Sequence, residues 1–245
     1  MDPDFEGKVA LVTGAGSGIG RDLVRKLVSL GAHVIAVSQT AHKLESLKEE
    51  LNGRVRTVSV DLGDWKETEN KLADMCRDVE YLVNNAGYAE DASVEDVPQR
   101  IVDKTLNVNL KGPMHLIKLV SKGMKERKSG SIVNVSSVAG IAALDDHVTY
   151  GSSKAALDMV TKISAKELGK YNIRVNSVNP TVVWTQMGQQ GWSDPDKKAA
   201  MIAKIPLGRF VEVHEVVEPI IFLLSSKSSM ISGVTLPIDG GFVAT

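Results

Sequence analysis

The chain has 245 residues, with 29 Lys and Arg against 30 Asp and Glu, 43% apolar and 24% charged. That balance suits a globular protein with a sizeable core, and it gives no basic field for nucleic acid or an acidic membrane surface. Cys76 is the only cysteine, which excludes an intramolecular disulfide and any thiolate metal cluster and fits a reducing compartment.

The N-terminal stretch MDPDFEGK lacks the basic flank and apolar centre of a signal peptide. No apolar run approaches the roughly 18 residues of a membrane span. The expectation is a cytoplasmic protein with no membrane span, no nucleic-acid partner and no metal, since the five histidines (33, 42, 115, 147, 214) show no paired ligand spacing.

Lys8 to Thr13 reads as a short buried strand, followed by the loop Gly14 to Gly20 and a helix from Arg21 to Leu30 that stops at Gly31. A strand at 33–37, a helix at 41–51, a strand at 55–60, a helix at 65–77 and a strand at 81–83 come next. The helical pattern from Val97 to about Lys128 is unusually long, and Gly112-Pro113 is placed to bend or interrupt it. A further strand covers 132–135. The polar stretch Thr185 to Asp196 reads as a surface loop. About seven strands alternating with helices predict an α/β fold with a mostly parallel sheet and right-handed crossovers, as one domain over residues 1–245.

The loop Thr13-Gly14-Ala15-Gly16-Ser17-Gly18-Ile19-Gly20 sits between the first strand and the first helix. Glycines there let a pyrophosphate approach the backbone, and the helix start offers free N–H groups and a positive dipole end. A glycine-rich turn alone can also be bare. The second chemical signal is Tyr150 and Lys154, four residues apart and so on one face of a helix opened by Gly151 to Lys154. A nearby ammonium lowers a phenol's pKa and fits it for proton transfer near neutral pH. Taken singly, Tyr150 could be a packed aromatic and Lys154 a solvated charge.

The loop spacing T-G-x-x-x-G-x-G, the run Asn84-Asn85-Ala86-Gly87 and Tyr150-x-x-x-Lys154 together resemble the short-chain dehydrogenase/reductase family over essentially the whole chain. The resemblance implies a single Rossmann domain with a doubly wound, seven-stranded parallel sheet flanked by helices, an NAD(P) cofactor and a homotetramer. It implies that Tyr150 is the proton donor, that Lys154 tunes it and holds the nicotinamide ribose, and that Ser137 holds the carbonyl oxygen. Ser136 would face the other way, because neighbouring strand residues point to opposite sides. Asn109 matches the family's helix asparagine, with Asn107 as the alternative. Gly14, Ser17, Gly18, Ile19 and Gly20 would line the pyrophosphate. Asn85, Ala86 and Gly87 would line the cofactor. Val183 would hold the carboxamide through its backbone, and Thr185 would meet the phosphates. Thr181 stands where the family usually has glycine. Asp61 and Leu62 would lie near the adenine, although Asp61 also reads as a helix N-terminal carboxylate.

The second strand ends in Ser38-Gln39-Thr40, without the carboxylate that repels a 2′-phosphate. NADP(H) is therefore favoured, with these three residues as hydrogen-bond donors. NAD(H) stays open, because Ser17 and Gln39 replace the Lys or Arg of many NADP-preferring relatives. Asp61-Leu62-Gly63-Asp64-Trp65, Asn179-Pro180-Thr181-Val182-Val183 and Trp192-Ser193-Asp194-Pro195 resemble the carbonyl-reductase subgroup that acts on small-molecule carbonyls, namely α-dicarbonyls and ketose sugars such as L-xylulose. On that resemblance Val138, His147 and Trp192 join Ser137 and Tyr150 in the substrate pocket. Trp192 as lid packing and His147 as a loop residue are the plainer readings. The alternative substrate is a steroid or 3-hydroxyacyl alcohol, which the polar residues Gln186, Gln189 and Gln190 disfavour. A cofactor-sensing protein without turnover would lack the tyrosine or lysine.

Overall fold

The computed structural model describes residues 4–244; of Gln186, Met187 and Gln190 only the backbone is described, so the side chains of the two glutamines lie outside it. The chain alternates β1 (Val9–Thr13), α1 (Gly18–Ser29), β2 (His33–Ser38), α2 (Ala41–Glu50), β3 (Val55–Ser59), α3 (Trp65–Cys76) and β4 (Val79–Asn84). Then follow α4 (Gln99–Leu106), α5 (Gly112–Arg127), β5 (Gly130–Val135), α6 (Val148–Leu168), β6 (Ile173–Pro180), α7 (Gln186–Gly191), α8 (Pro195–Ile202), α9 (Val213–Leu224) and β7 (Thr235–Ile238). The strands form one sheet in the order β3-β2-β1-β4-β5-β6-β7, every pair parallel.

Strand alternation divides the core. Ala10 and Val12 of β1 face a layer that includes Leu23 and Leu27 of α1 and Val216 and Ile220 of α9. Leu11 faces the opposite layer, with Leu72 of α3 and Leu116 and Val120 of α5. Burial on both faces explains why the strands read as unbroken apolar runs. The strand order reverses between β1 and β4, which opens a crevice at their C-terminal ends where ligands of such sheets bind. The glycine loop and the Asn84–Gly87 run leave the sheet at that crevice.

Two expectations need correction. The long helix is not bent at Gly112-Pro113 itself. Residues Asn107–Lys111 form a π-helical turn between α4 and α5, and Pro113 sits in the first turn of α5. Proline has no N–H to donate to the preceding turn, so the widening falls just ahead of it. The stretch from 185 to 196 is not a loop either, since it holds α7 and the start of α8. Thr185 caps α7 by accepting from Gly188 N at 3.1 Å. Asp194 caps α8 by accepting from Asp196 N and Lys197 N, with Pro195 at the first helical position. Among the described residues no helix is long and apolar enough to cross a membrane.

Candidate active site

The glycine loop has the shape its composition demands. Gly14 and Gly18 have φ of +65° and +53°, in the left-handed region that L side chains avoid. A Cβ on Gly14 would lie 2.6 Å from Asn85 Nδ2, and one on Gly18 would lie 3.0 Å from Thr185 Cγ2. The loop is thus pressed between the end of β4 and the residue that opens α7. Asn85 fixes it by donating from Nδ2 to Thr13 O at 2.9 Å, while Asn85 N and Ala86 N both donate to Thr13 Oγ1 at 2.9 Å. Ser17 occupies the N-cap of α1 without making a side-chain cap bond, so the helix start keeps its N–H groups for another acceptor. Ile19 packs on the core layer behind the loop.

The next group is built on β5 and α6. Helix α6 starts at Val148, three residues before the start read from sequence, so Tyr150 lies in its first turn and Lys154 one turn later. Ser136 and Ser137 point to opposite sides. Ser136 Oγ donates to Lys154 O at 3.1 Å, whereas the Ser137 hydroxyl meets the Tyr150 phenol. Lys154 is buried, donates from Nζ to Val135 O at 2.8 Å, and lies 5.5 Å from the centre of the Tyr150 ring. Burial pushes its pKa down to about 8, against the opposing charge of Asp158. The Tyr150 pKa is raised, not lowered as the Tyr–Lys spacing suggests: burial of the phenol outweighs the hydrogen bond with Ser137, which acts in the lowering direction.

Asn109 lies in the π-helical turn and is fully buried. Its Oδ1 accepts from Tyr88 N at 2.8 Å, and its Nδ2 donates to Tyr88 O at 2.9 Å and Ser153 Oγ at 3.1 Å. A Cβ on Gly87 would stand 3.7 Å from Asn109 Oδ1 and 3.8 Å from Lys154 Nζ, so these three residues surround one small volume. Asn107 points elsewhere and accepts from Lys111 Nζ. Asn84 ties β4 to β5 by donating to Asn134 Oδ1.

At the other end of the crevice Gln39 Nε2 donates to Asp61 Oδ2 at 3.0 Å, and Asp61 Oδ1 accepts from Gly63 N. A surface hollow lined by Gln39, Asp61, Lys104 and Val108 opens there. Leu62 is buried against the start of α5. Ser38 Oγ accepts from Thr40 N. Val183 bridges Val211 through its neighbours' hydrogen bonds, so its own N–H and C=O face away from that pairing.

The residues assigned to the substrate pocket have different surroundings. His147 stands edge-on to Tyr150, with ring centres 6.1 Å apart. Its Nδ1 donates to Asp145 O, and its Nε2 faces Asp91 at 3.8 Å. Val138 is buried and leads a short 3₁₀ turn. Trp192 packs edge-on to Phe210 with Trp184 and Met201, inside the small core of the α7–α8 region.

The arrangement matches known proteins. The family described as enoyl-(acyl carrier protein) reductase matches residues 14–243. The L-xylulose reductase of Mesocricetus auratus is 51% identical over 246 residues, with 100% of each chain covered. The chain belongs to the short-chain dehydrogenase/reductase family. The D-erythrulose reductase of Gallus gallus is 48% identical over 248 residues, again covering 100% of both. A solved structure provisionally assigned as an NAD(P)-dependent gluconate 5-dehydrogenase from Beutenbergia cavernae, with bound NADP, is 32% identical at a TM-score of 0.93 and covers 99% of each chain.

This short-chain dehydrogenase/reductase carries a second layer of polar residues that the sequence reading did not single out. Asp158 is buried one turn beyond Lys154 and accepts from Ser177 Oγ at 2.9 Å and Asn179 Nδ2 at 2.8 Å. Asn179 Nδ2 also donates to Ser137 O at 3.0 Å. The available signal was the spacing Tyr150, Lys154, Asp158, which puts a carboxylate on the same helix face as the pair. Tyr88 was missed too, and only its place beside Gly87 could have suggested it.

Proposed function

We propose that the chain is an NADPH-dependent carbonyl reductase of α-dicarbonyls and small ketoses such as L-xylulose, which it converts to xylitol. The supporting observation is the meeting of Tyr150, Ser137 and Lys154 beyond the C-terminal end of β5, the same end of the sheet as the glycine loop. A dinucleotide fits the residues present: the loop is a cradle that Cβ atoms would fill, and α1 starts without a side-chain cap. When bound, it supplies the hydride. The 14–20 loop and Thr185 would hold its phosphates, Asp61 and Leu62 its adenine, Asn85 to Gly87 and Lys154 its nicotinamide riboside, and Val183 its carboxamide.

Tyr150 gives its phenolic proton to the substrate oxygen as negative charge develops there, and Ser137 donates a hydrogen bond to the same oxygen. A raised phenol pKa keeps Tyr150 protonated at neutral pH, the state a donor needs. Lys154, with its pKa near 8, is mostly cationic at pH 7 and opposes the charge left on the tyrosinate. Asn109 fixes Tyr88 and the Gly87 turn behind the lysine. The absence of a carboxylate at Ser38-Gln39-Thr40 favours NADP(H) over NAD(H). The exposed Met114, Met159 and Ile163 on α5 and α6 offer apolar surface for self-association, and the family resemblance implies that the assembly is a homotetramer.

The test is kcat/KM for diacetyl, L-xylulose and a steroid ketone, each with NADPH and NADH. The reading expects diacetyl and L-xylulose with NADPH to lead. A steroid in first place overturns the substrate class, and equal values with both cofactors overturn the NADP preference.

A further inference from the structure

Position 43 is a cation in an unusual place. Lys43 is the third residue of α2, at the positive end of that helix's dipole, where a cation is disfavoured and an anion is stabilised. The first turn of α2 holds no acidic residue to offset it, and Thr40 makes no side-chain cap bond. Yet Lys43 is half-buried, laid against the glycine loop. A Cβ on Gly16 would stand 3.0 Å from Lys43 Cβ, 3.5 Å from its Cδ and 3.1 Å from Ser38 Oγ. The lysine stem, the loop and the end of β2 therefore share one corner.

Arg21 builds that corner. Its Nη1 donates to Gly16 O at 3.4 Å and to Lys43 O at 3.2 Å, which ties the loop to the first turn of α2. Its own charge is taken up by Glu50, at 2.6 Å from Nη2, and Arg25 shares the same carboxylate. The ammonium of Lys43 differs from both. Among the described residues it has neither an ion pair nor a hydrogen bond. Gln39, which is neutral, has its amide engaged by Asp61. The hydroxyl of Ser38 lies in the same corner, and Ser17, the next residue after Gly16, makes no cap bond.

We propose that Lys43 is the cation that reads the adenosine 2′-phosphate, in place of the missing basic side chains at positions 17 and 39, with Ser17 and Ser38 as neutral donors. This rests on the NADP(H) reading above and assigns its specificity to a residue on α2 instead of the loop or the strand end. The 2′-phosphate is a dianion, and a flexible lysine meets it as a point charge. The anion would also relieve the misplacement of a positive charge at the α2 N-terminus.

The test is direct binding, read by the fluorescence of reduced nicotinamide, of NADPH and NADH to the wild-type protein and to Lys43→Met and Lys43→Arg, with adenosine 2′,5′-bisphosphate as competitor. Lys43→Met keeps the stem against Gly16 and loses only the charge. It is expected to weaken NADPH and the bisphosphate by about tenfold to a hundredfold and to leave NADH unchanged. Lys43→Arg is expected to restore most of the NADPH affinity. Equal loss for NADPH and NADH, or no loss for either, overturns the role of Lys43. If the wild type prefers NADPH and Lys43→Met keeps that preference, only this assignment falls. If the wild type binds both equally and the bisphosphate does not compete, the NADP(H) reading itself falls.

Discussion

Lys154 and Asp158 stand one helical turn apart on the buried side of α6, and the carboxylate is what draws the lysine's pKa upward against burial. Burial wins and leaves the ammonium near 8. Asp158 in turn is held by Ser177 and Asn179, so the charge that supports the lysine is anchored on β6. Helix α6 and the strand beside it are therefore coupled through one carboxylate.

This coupling sets a pH prediction. Asp158→Asn removes the raising influence on Lys154, so the lysine loses its proton at a lower pH than the wild type's value of about 8. If the cationic lysine is needed, the alkaline limb of the kcat/KM profile moves to lower pH. A profile whose alkaline limb stays in place in the variant would refute the coupling. Below that limb the lysine is charged in both proteins, so the profiles should converge apart from a constant offset.

Tyr150→Phe is expected to lower kcat by about 10²- to 10⁴-fold, the usual worth of a positioned general acid, without weakening NADPH binding. Single-turnover measurements with saturating NADPH separate the two effects. Full turnover by the variant would remove Tyr150 from the proton path.

Two glycines with left-handed backbone make a controlled comparison. Gly7 has φ +70° and nothing near its missing Cβ, whereas Gly18 has φ +53° and faces Thr185 Cγ2 at 3.0 Å. Alanine at either site should cost about 1 kcal/mol of stability in urea unfolding. Gly18→Ala alone should also weaken NADPH binding, because it displaces Thr185 and the pyrophosphate turn. Equal NADPH affinity in both variants would count against the 14–20 loop as the phosphate cradle.

The glycine loop and the alternating strands were legible because each depends on a local rule: a turn that needs positive φ, and a sheet buried on both faces. Strand period sets Ser136 and Ser137 on opposite faces without saying which faces the site; only the family spacing picks Ser137, and the structure does give the two serines opposite faces. The direction of the Tyr150 shift was not legible, since spacing shows a charge nearby but not how deeply the phenol is buried. The α7 and α8 helices were hidden by a polar, glycine-containing stretch, although Asp194-Pro195 is a helix start signal. Lys43 looks like any surface lysine until the fold lays α2 against Gly16.

Met159 and Ile163 lie four residues apart on α6 and are 54% and 49% exposed, with Met114 of α5 at 44%. Residues at that spacing share a helix face, so α6 presents an apolar stripe outward while its other side holds Lys154 and Asp158. If copies of the chain pair through this stripe, Met159→Lys with Ile163→Lys should give a species smaller than the wild type in light scattering after gel filtration. The variant should also unfold at a lower temperature, because assembly stabilises the folded state by mass action. An unchanged mass would place any subunit contact away from α6. A smaller species that keeps full kcat would show that the Tyr150 end of the same helix is held by β5 and β6 and not by a neighbouring subunit.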